Sequence, residues 1–141
     1  MSTAIPCYNK MRKMEKISTV YKGGRVFENN VRGHKIVADL PLSGNGTDTG
    51  PTPPDLLVMS LTSCIGFYVV FYCEKYSLDP QGLTIEAEYE KSVNKIERIS
   101  VRFSLPSAQT EHVRKGALAW AEKCLIHKTL CEKPDIKISL A

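Results

Sequence analysis

The fold of this 141-residue chain is decided by one segment, residues 53–76, with the sequence PPDLLVMSLTSCIGFYVVFYCEKY. It contains eighteen consecutive residues without a charge, from Leu56 to Cys73. Thr52 precedes it as a candidate N-cap, and two prolines suit the first turn. Asp55 stands where a carboxylate reaches back to the cap and favours the helix dipole. The segment therefore predicts a long helix with Cys64 near its middle.

A helix that is apolar on all sides lies inside a protein or inside a membrane. Eighteen residues at about 1.5 Å each span roughly 27 Å, slightly less than the hydrocarbon core of a bilayer. The segment also contains Ser60, Thr62, Ser63 and Gly66 near its centre, and the flanking segments alternate like strands of a soluble protein. The sequence therefore predicts a buried core helix, and we expect no membrane partner.

The net charge of +4 suggests a polyanionic partner, but the distribution of the charges argues against one. Residues 1–25 hold six Lys/Arg and one Glu, and the remaining residues hold 13 basic and 14 acidic side chains. No stripe of basic and aromatic residues accompanies this basic N-terminal segment. The composition is typical of a soluble globular chain, and we expect no nucleic-acid partner.

The cysteines are predicted to be free thiols in a cytoplasmic protein. The first sixteen residues contain no apolar run, so they do not have the pattern of a secretory signal. Five cysteines in a chain that is not exported are not expected to form a disulfide framework. No two of them form a CxxC pair or a spacing typical of zinc, so we expect no metal and no cofactor.

The remaining segments predict an α+β fold in a single domain, residues 13–141, after a lead-in over residues 1–12. An antiparallel meander of three strands is predicted before the long helix, over residues 13–22, 25–31 and 34–40. The Gly-rich residues 41–52 lack the signatures of phosphate-binding loops and are interpreted as a flexible connection into the helix.

The chain after the long helix predicts a hairpin, a second helix and a closing strand. Residues 83–90 and 99–105 alternate between apolar and polar side chains, which is typical of two half-buried strands. An amphipathic helix capped by Ser107 follows, with Cys124 at the end of its buried stripe. Residues 136–140 alternate again and predict the closing strand. The predicted order is βββ-α-ββ-α-β.

Two of the five cysteines are candidates for chemistry. Cys64 and Cys124 each fall on the buried side of a predicted helix, where a thiol is either core packing or a reactive group. Cys73 follows Cys64 by nine residues, which places the two on opposite faces of one helix, so Cys73 is assigned to the core. Cys7 and Cys131 have no evident partner. The residue pattern leaves both interpretations of Cys64 and Cys124 open.

The segments around these two cysteines are GPTPPDLLVMSLTSC (residues 50–64) and EKCLIHKTL (residues 122–130). They resemble the OsmC/Ohr family, the osmotically inducible protein C and organic hydroperoxide resistance proteins. That family begins a long helix with a G-x-x-P-x-E-L-L-type segment that leads to a first cysteine. A C-P-V-type element, followed by Thr-Leu or a similar pair, surrounds the second. The resemblance covers residues 13–141 and includes RGHKIVADLP ahead of the Gly-rich connection.

The resemblance implies a thiol-dependent peroxidase that reduces organic hydroperoxides. Cys64 would be oxidised to a sulfenic acid, and Cys124 would resolve it to a disulfide, which a cellular dithiol reduces. A thiolate needs a nearby cation, and Cys64 lies too deep in its helix for the helix dipole to serve. Arg25 is the candidate cation and Arg32 the alternative. The family also implies an OsmC-like intertwined homodimer with its long helices packed together, which accounts for a helix that is apolar on all sides.

One position departs from the family's pattern. Classical hydroperoxide-reducing members have a glutamate directly after the proline at the start of the helix, and that glutamate holds the arginine. Pro54 occupies this position here, and Asp55 matches the next one, to which we assign helix capping. The departure removes the group that orients the arginine. An alternative function is therefore a non-enzymatic protein of the same fold that is redox-responsive or binds a small apolar ligand.

His127 follows Cys124 by three residues, on the same face if the helix continues. It could raise the thiolate fraction of a cysteine, bind a soft metal together with Cys64 and Cys124, or be a structural or solvated histidine. The sequence leaves these roles open.

Overall fold

The computed structural model describes residues 14–141. The predicted lead-in, residues 1–12, lies outside the described residues. The chain divides into two compact units: the first ends at Leu56, and the second runs from Leu57 to Ala141. The organisation of residues 13–141 as one domain stays a prediction.

The first unit contains an antiparallel sheet of three strands in sequential order. The strands are β1 (Ser18–Gly23), β2 (Val26–Val31) and β3 (His34–Ala38). The turn between β2 and β3 places Arg32 and Gly33 in the left-handed region, with φ of 51° and 84°. Gly33 adopts this conformation at little cost because it has no Cβ. The predicted meander is confirmed.

Asp39 organises the connection between β3 and the long helix. Its buried carboxylate accepts hydrogen bonds from the N–H groups of Leu40 (2.7 Å), Thr47 (3.0 Å) and Thr49 (3.1 Å). The hydroxyls of Thr47 and Thr49 donate to it as well, at 2.7 and 2.9 Å. These bonds, that of the Thr47 hydroxyl foremost, hold the pKa of Asp39 far below its ordinary value although burial opposes them. The Gly-rich connection is therefore a folded loop tied to one carboxylate, and the expectation of a flexible connection was wrong.

The long helix α1 covers Pro53–Lys75, as predicted. Asp55 Oδ2 accepts hydrogen bonds from the Thr52 N–H (2.9 Å) and hydroxyl (2.5 Å), and the Asp55 N–H donates back to Thr52 Oγ1 at 3.4 Å. This reciprocal cap confirms the predicted start of the helix. By length and composition α1 could cross a membrane, since its most apolar 18-residue window has a mean hydropathy of 2.0. Eight of its residues are nonetheless buried within the protein, which is consistent with the core helix of a soluble protein: Val58, Leu61, Cys64, Ile65, Tyr68, Val69, Tyr72 and Cys73.

The predicted hairpin is confirmed in the second unit. It consists of the antiparallel strands β4 (Thr84–Lys91) and β5 (Ile96–Ser104). Its exposed face carries a cross-strand ion pair between Glu86 and Arg102 at 3.6 Å. The other face meets α1 at Gly66, where an added Cβ would lie 3.2 Å from Ile85 Cδ1. The absence of a side chain at Gly66 therefore lets α1 approach the hairpin two residues after Cys64.

The single amphipathic helix predicted after the hairpin is two helices, α2 (Glu111–Ala121) and α3 (Leu125–Glu132). The cap of α2 is Thr110, not Ser107, because the Thr110 hydroxyl accepts the Val113 N–H at 3.3 Å. The helical path breaks at Cys124, whose ψ of 141° is extended. Cys124 therefore starts α3 instead of ending α2.

The predicted closing strand over residues 136–140 was wrong. Residues 133–141 have no regular secondary structure, and the apolar residues Ile136, Ile138 and Leu140 are 73, 93 and 100% exposed. Alternation of apolar and polar residues makes a segment suitable for a sheet, but a strand also needs a neighbouring strand for its backbone hydrogen bonds. Within the described residues, the order is therefore βββ-α-ββ-α-α.

Candidate functional site: a buried pair of thiols

Cys64 lies in the middle of α1 and is 6% exposed. Leu61, one turn earlier on the same helix face, and the adjacent Ile65 are also part of the core. The surroundings of the thiol are therefore largely apolar. A thiol in such surroundings is either part of the core packing or a reactive group, and its neighbouring side chains decide which.

Cys124 occupies the N-cap position of α3 and is fully buried. Its Sγ accepts a hydrogen bond from the His127 N–H at 3.2 Å, as a serine or aspartate oxygen does in an ordinary cap. A sulfur in this position faces the positive end of the helix, where a thiolate is favoured. The break between α2 and α3 thus directs Cys124 inward and gives its sulfur a backbone hydrogen-bond donor.

The structure brings the Cys64 and Cys124 thiols together in side-chain hydrogen-bond contact, and both are in the free, reduced form. Burial raises the pKa of Cys124 to about 11, and the adjacent Cys64 thiol adds to the rise. The hydrogen bond from the His127 N–H opposes this effect. Cys124 is consequently a protonated thiol at neutral pH, placed beside a second thiol with which it can form a disulfide.

The contact between the thiols depends on a close crossing of α1 and α2. Gly116 of α2 lies against the Tyr72 ring of α1, so that a Cβ at this position would be 2.7 Å from Tyr72 Cζ. Trp120 packs on the same ring, with the centroids 6.1 Å apart. Because Cys124 follows α2 directly, this crossing determines how near it comes to Cys64.

A cavity of about 250 Å³ lies between α1, the hairpin and α2, and its lining residues are close in sequence to Cys64 and Cys124 without including either cysteine. Apolar surface predominates in its walls, and His127 and Glu122 are the polar lining residues; the remaining lining residues are Leu61, Ile65, Ile99, Val101, Phe103, Leu118 and Ala121. In the sequence, Leu61 and Ile65 stand on either side of Cys64, and Ala121 and Glu122 precede Cys124. The cavity can hold a small, mostly apolar molecule.

His127 is held by a second hydrogen bond besides that of its backbone. Its Nδ1 lies 2.8 Å from the carbonyl oxygen of Glu122. A carbonyl oxygen only accepts, so Nδ1 carries a proton and donates it to this bond. The helix does not continue from Cys124 to His127, and the two residues meet through the cap of α3 instead of along one helical face. Among the described residues, no group of three or more potential metal ligands is close enough to hold an ion.

Arg25 and Arg32 belong to the first unit, whereas both thiols belong to the second. Arg25 precedes β2 and lines a cavity of about 160 Å³ together with Asp39, Leu40 and Pro53. Arg32 occupies the turn between β2 and β3. Of the two, Arg25 is the one beside the buried carboxylate of the loop that leads to α1. Its role toward Cys64 stays a prediction.

The other cysteines are separate from the pair of thiols. Cys73 is fully buried in α1, and burial raises the pKa of its thiol, which confirms its assignment to the core. Cys131 is exposed on α3. Cys7 lies outside the described residues. The thiol chemistry available in the second unit therefore centres on Cys64 and Cys124.

Sequence reasoning missed the capping role of Cys124 and the bond that orients the His127 ring. A signal for the cap was present, since Cys-x-x-His has the spacing of an N-cap and the third helical residue. It was masked because cysteine is not among the usual N-cap residues and the amphipathic pattern runs through the break without interruption.

Comparison with known proteins identifies the family to which this chain belongs. The sequence profile of the OsmC-like proteins matches residues 46–139, a range that includes both Cys64 and Cys124. The chain belongs to this family, and the resemblance drawn from its sequence is confirmed. A comparison with curated proteins found no match.

Solved structures show the same fold at low sequence identity. An OsmC-like protein from Mycoplasma pneumoniae is 18% identical, with a TM-score of 0.76 over 87% of this chain and 91% of that one. An organic hydroperoxide resistance protein from Legionella pneumophila is 14% identical, with a TM-score of 0.64 over 86% and 91%. An OsmC-like hydroperoxide resistance protein from Jannaschia is 16% identical, with a TM-score of 0.54 over 89% of each chain. The α+β, OsmC-like fold is thereby established.

Proposed function

We propose that this protein is a thiol-dependent peroxidase that reduces organic hydroperoxides. The observation that carries the proposal is the contact between the Cys64 and Cys124 thiols in a buried, largely apolar site. The mostly apolar cavity of about 250 Å³, lined by Leu61 and Ile65 of α1, suits the organic part of a hydroperoxide. Two relatives of the same fold are described as hydroperoxide resistance proteins, which supports the same class of substrate.

The proposed first step oxidises Cys64. Its thiolate attacks the terminal oxygen of the hydroperoxide; a sulfur–oxygen bond forms and the oxygen–oxygen bond breaks. The alkoxide leaves and takes up the proton that the thiol gave up, so that a thiol and a hydroperoxide become a sulfenic acid and an alcohol. Cys64 is assigned this role because the family carries its first cysteine at this place in the long helix.

The proposed second step closes a disulfide. Cys124 attacks the sulfur of the Cys64 sulfenic acid, the sulfur–oxygen bond breaks, and water leaves. A cellular dithiol then reduces the disulfide by exchange, becoming a disulfide itself. Because the two thiols are neighbours, we expect this closure to need little rearrangement of the chain.

Arg25 is proposed to stabilise the Cys64 thiolate, with Arg32 as the alternative. Pro54 cannot orient a guanidinium as the glutamate of classical members does, and the Asp55 carboxylate caps α1 through Thr52. Asp39 is the carboxylate whose loop borders the cavity lined by Arg25. Replacement of Arg25 by Met preserves most of the side-chain volume and removes the charge. We expect it to slow oxidation of Cys64 by tenfold or more, because the interaction between guanidinium and thiolate should stabilise the thiolate by roughly 1.4 kcal/mol or more.

Loss of free thiols tests the proposed reaction. Reduced protein is mixed with cumene hydroperoxide, and free thiols are counted over time in the wild type and in Cys64→Ser, Cys124→Ser and Cys131→Ser. We expect the wild type and Cys131→Ser, the matched control, to lose two thiols rapidly per molecule. Cys124→Ser should lose one and accumulate a sulfenic acid, and Cys64→Ser should lose none at this rate. A wild-type reaction no faster than that of free cysteine would refute the peroxidase.

We also propose that the protein acts as a cytoplasmic homodimer. Apolar side chains remain exposed on α1 and in the C-terminal segment, among them Met59 (45%), Phe67 (61%) and Ile138 (93%). Exposed apolar surface of this kind is typical of an interface, and a second copy is the partner that the family implies. Light scattering after size-exclusion chromatography should give twice the mass of one chain; a monomer at micromolar concentration would refute the dimer. The free thiols fit a reducing compartment such as the cytoplasm.

The second candidate function is binding of a small apolar ligand without turnover. The mostly apolar lining of the 250 Å³ cavity favours it. A protein of this kind would yield a bound apolar molecule on extraction and mass spectrometry, and its thiols would react slowly with hydroperoxide. Rapid turnover with cumene hydroperoxide would exclude it as the main function.

A further inference from the structure

We propose that His127 is the base that takes the proton from Cys124 when the sulfur of Cys124 attacks Cys64. This inference rests on the proposed function for its physiological reaction, but its test does not, because closure of the disulfide can be started without a hydroperoxide. It makes His127 a third member of the site beside the two cysteines.

The hydrogen bonds of the ring fix its tautomer. Nδ1 donates its proton to the carbonyl oxygen of Glu122 at 2.8 Å. A neutral imidazole carries one proton, so Nε2 of His127 has the free lone pair and is a proton acceptor. The bond to a backbone carbonyl also fixes the orientation of the ring, in the way that a carboxylate orients histidines that act as bases.

The backbone of His127 holds the sulfur that would be deprotonated. Its N–H donates to Cys124 Sγ at 3.2 Å, so residue and sulfur keep a constant separation at the start of α3. His127 also lines the cavity of about 250 Å³, which is large enough to hold a water. A general base acts at hydrogen-bond distance or through one water, and the proposal requires Nε2 to reach Cys124 Sγ by one of these two routes.

The chemistry of closure requires such a base. Cys124 is protonated at neutral pH because burial raises the pKa of its thiol to about 11. The thiol must lose this proton as its sulfur bonds to Cys64, and the hydroxyl that leaves the Cys64 sulfenic acid must gain one to become water. His127 can accept the first proton at Nε2 and deliver one to the leaving hydroxyl. The two transfers balance, and the imidazole ends neutral.

Other titratable groups around the ring are less suitable. The two cavities that His127 lines are also bordered by Glu122, Glu97, Arg98 and Cys131. Glu97 pairs with Lys95 at 3.1 Å, and an arginine does not give up its proton in proteins. Glu122 and Cys131 are exposed. His127 is therefore the group in this wall that combines a free lone pair with a fixed position next to Cys124.

The test separates the donor role of Nδ1 from the acceptor role of Nε2. In His127→Asn the amide nitrogen can keep the bond to the Glu122 carbonyl, but the variant has no base. Reduced protein is treated with methyl methanethiosulfonate, which converts the Cys64 thiol to a methyl disulfide. Attack by Cys124 then forms the Cys64–Cys124 disulfide and releases methanethiol. Peptide mass spectrometry after acid quenching follows closure, and cumene hydroperoxide starts the same closure from the sulfenic acid.

We expect His127→Asn to close the disulfide about 100-fold more slowly at pH 7, since general bases contribute roughly 10² to 10⁴ in rate. The variant's rate should rise tenfold for each pH unit as the thiolate becomes available, and it should approach the wild-type rate at alkaline pH. Added imidazole should accelerate closure in His127→Ala. Formation of the methyl disulfide on Cys64 should be the same in all of these variants.

A wild-type rate of closure in His127→Asn at pH 7 would overturn the inference, because only the structural bond is preserved there. A slowing that is equal at every pH and insensitive to imidazole would overturn it too, since that is the signature of altered packing. If hydroperoxide fails to oxidise Cys64 but closure from the methyl disulfide depends on His127, the peroxidase is refuted and the inference stands. If hydroperoxide oxidises Cys64 rapidly but the rate of closure does not depend on His127, the peroxidase stands and the inference about His127 is refuted.

Discussion

Replacement of Gly116 by Ala should destabilise the protein and separate its two thiols. A Cβ at this position would collide with Tyr72 Oη and lie 2.7 Å from Cζ and 2.8 Å from Cε2. Ordinary contact begins at 3.4 Å, so Cζ must retreat by about 0.7 Å and the nearer Oη by more. Tyr72 is 4% exposed, with the Trp120 and Tyr76 rings 6.1 and 4.8 Å from it, which leaves it little space to move.

The magnitude follows from two opposing effects. Alanine in place of glycine within a helix gains about 1 kcal/mol from helix propensity. Overpacking of a filled core costs typically about 1–3 kcal/mol, and a displacement of this size at a buried ring belongs in the upper part of that range. We expect Gly116→Ala to lower the free energy of unfolding by about 1–2 kcal/mol. Because α2 leads directly into Cys124, we also expect a smaller yield of the Cys64–Cys124 disulfide after mild oxidation.

Urea unfolding of matched variants measures both effects. Ala119→Gly, at an exposed position of α2, reports the propensity difference alone and should cost about 1 kcal/mol. In the Tyr72→Phe background the colliding hydroxyl is gone, so Gly116→Ala should cost less by about 1 kcal/mol. If Gly116→Ala instead stabilises the protein by the amount that Ala119→Gly loses, Gly116 makes no close contact, and this account of how α2 reaches Cys64 is refuted.

Three further perturbations test individual contacts. Asp39→Asn should lower the urea midpoint at neutral pH. Because hydrogen bonds depress the pKa of Asp39 in the folded protein, the wild type should exceed the variant in stability by the full amount above the unfolded pKa of 3.8. This difference in stability should vanish as the pH falls through the lower pKa of the folded protein. The raised pKa of Cys124 has the opposite consequence, because the wild type loses stability as the pH rises. Its free energy of unfolding should fall by up to about 1.4 kcal/mol per pH unit from pH 9.0 to about 11. In alkaline urea titrations, the free energy of unfolding of Cys124→Ala should fall less steeply with pH. Thr52→Val should cost about 1 kcal/mol through the lost cap of α1, whereas Thr52→Ser should cost much less, and equal losses in the two would contradict the capping role.

Local patterns in the sequence were enough to predict α1, the strand meander and the hairpin. The cap formed by Thr52 and Asp55 depends on residues three apart, and a hairpin face depends on alternation within one strand, so neighbouring residues specify these features. The assignment of Cys73 to the core followed in the same way from the rotation of one helix. The segments around Cys64 and Cys124 were also enough to indicate the family.

Only the tertiary structure decided how these elements meet. Cys64 and Cys124 are sixty residues apart, and their contact depends on the crossing of α1 and α2 at Gly116, which no local pattern encodes. Residues 136–140 have the alternation of a strand but remain without a partner edge within the described chain, because hydrogen bonding to a neighbouring strand is a property of the assembled fold. Tertiary contacts also decided the break before α3. The Cys124 sulfur is buried against Cys64 and accepts a hydrogen bond from the His127 N–H. These contacts stabilise an extended conformation at Cys124 that helix propensity alone does not favour.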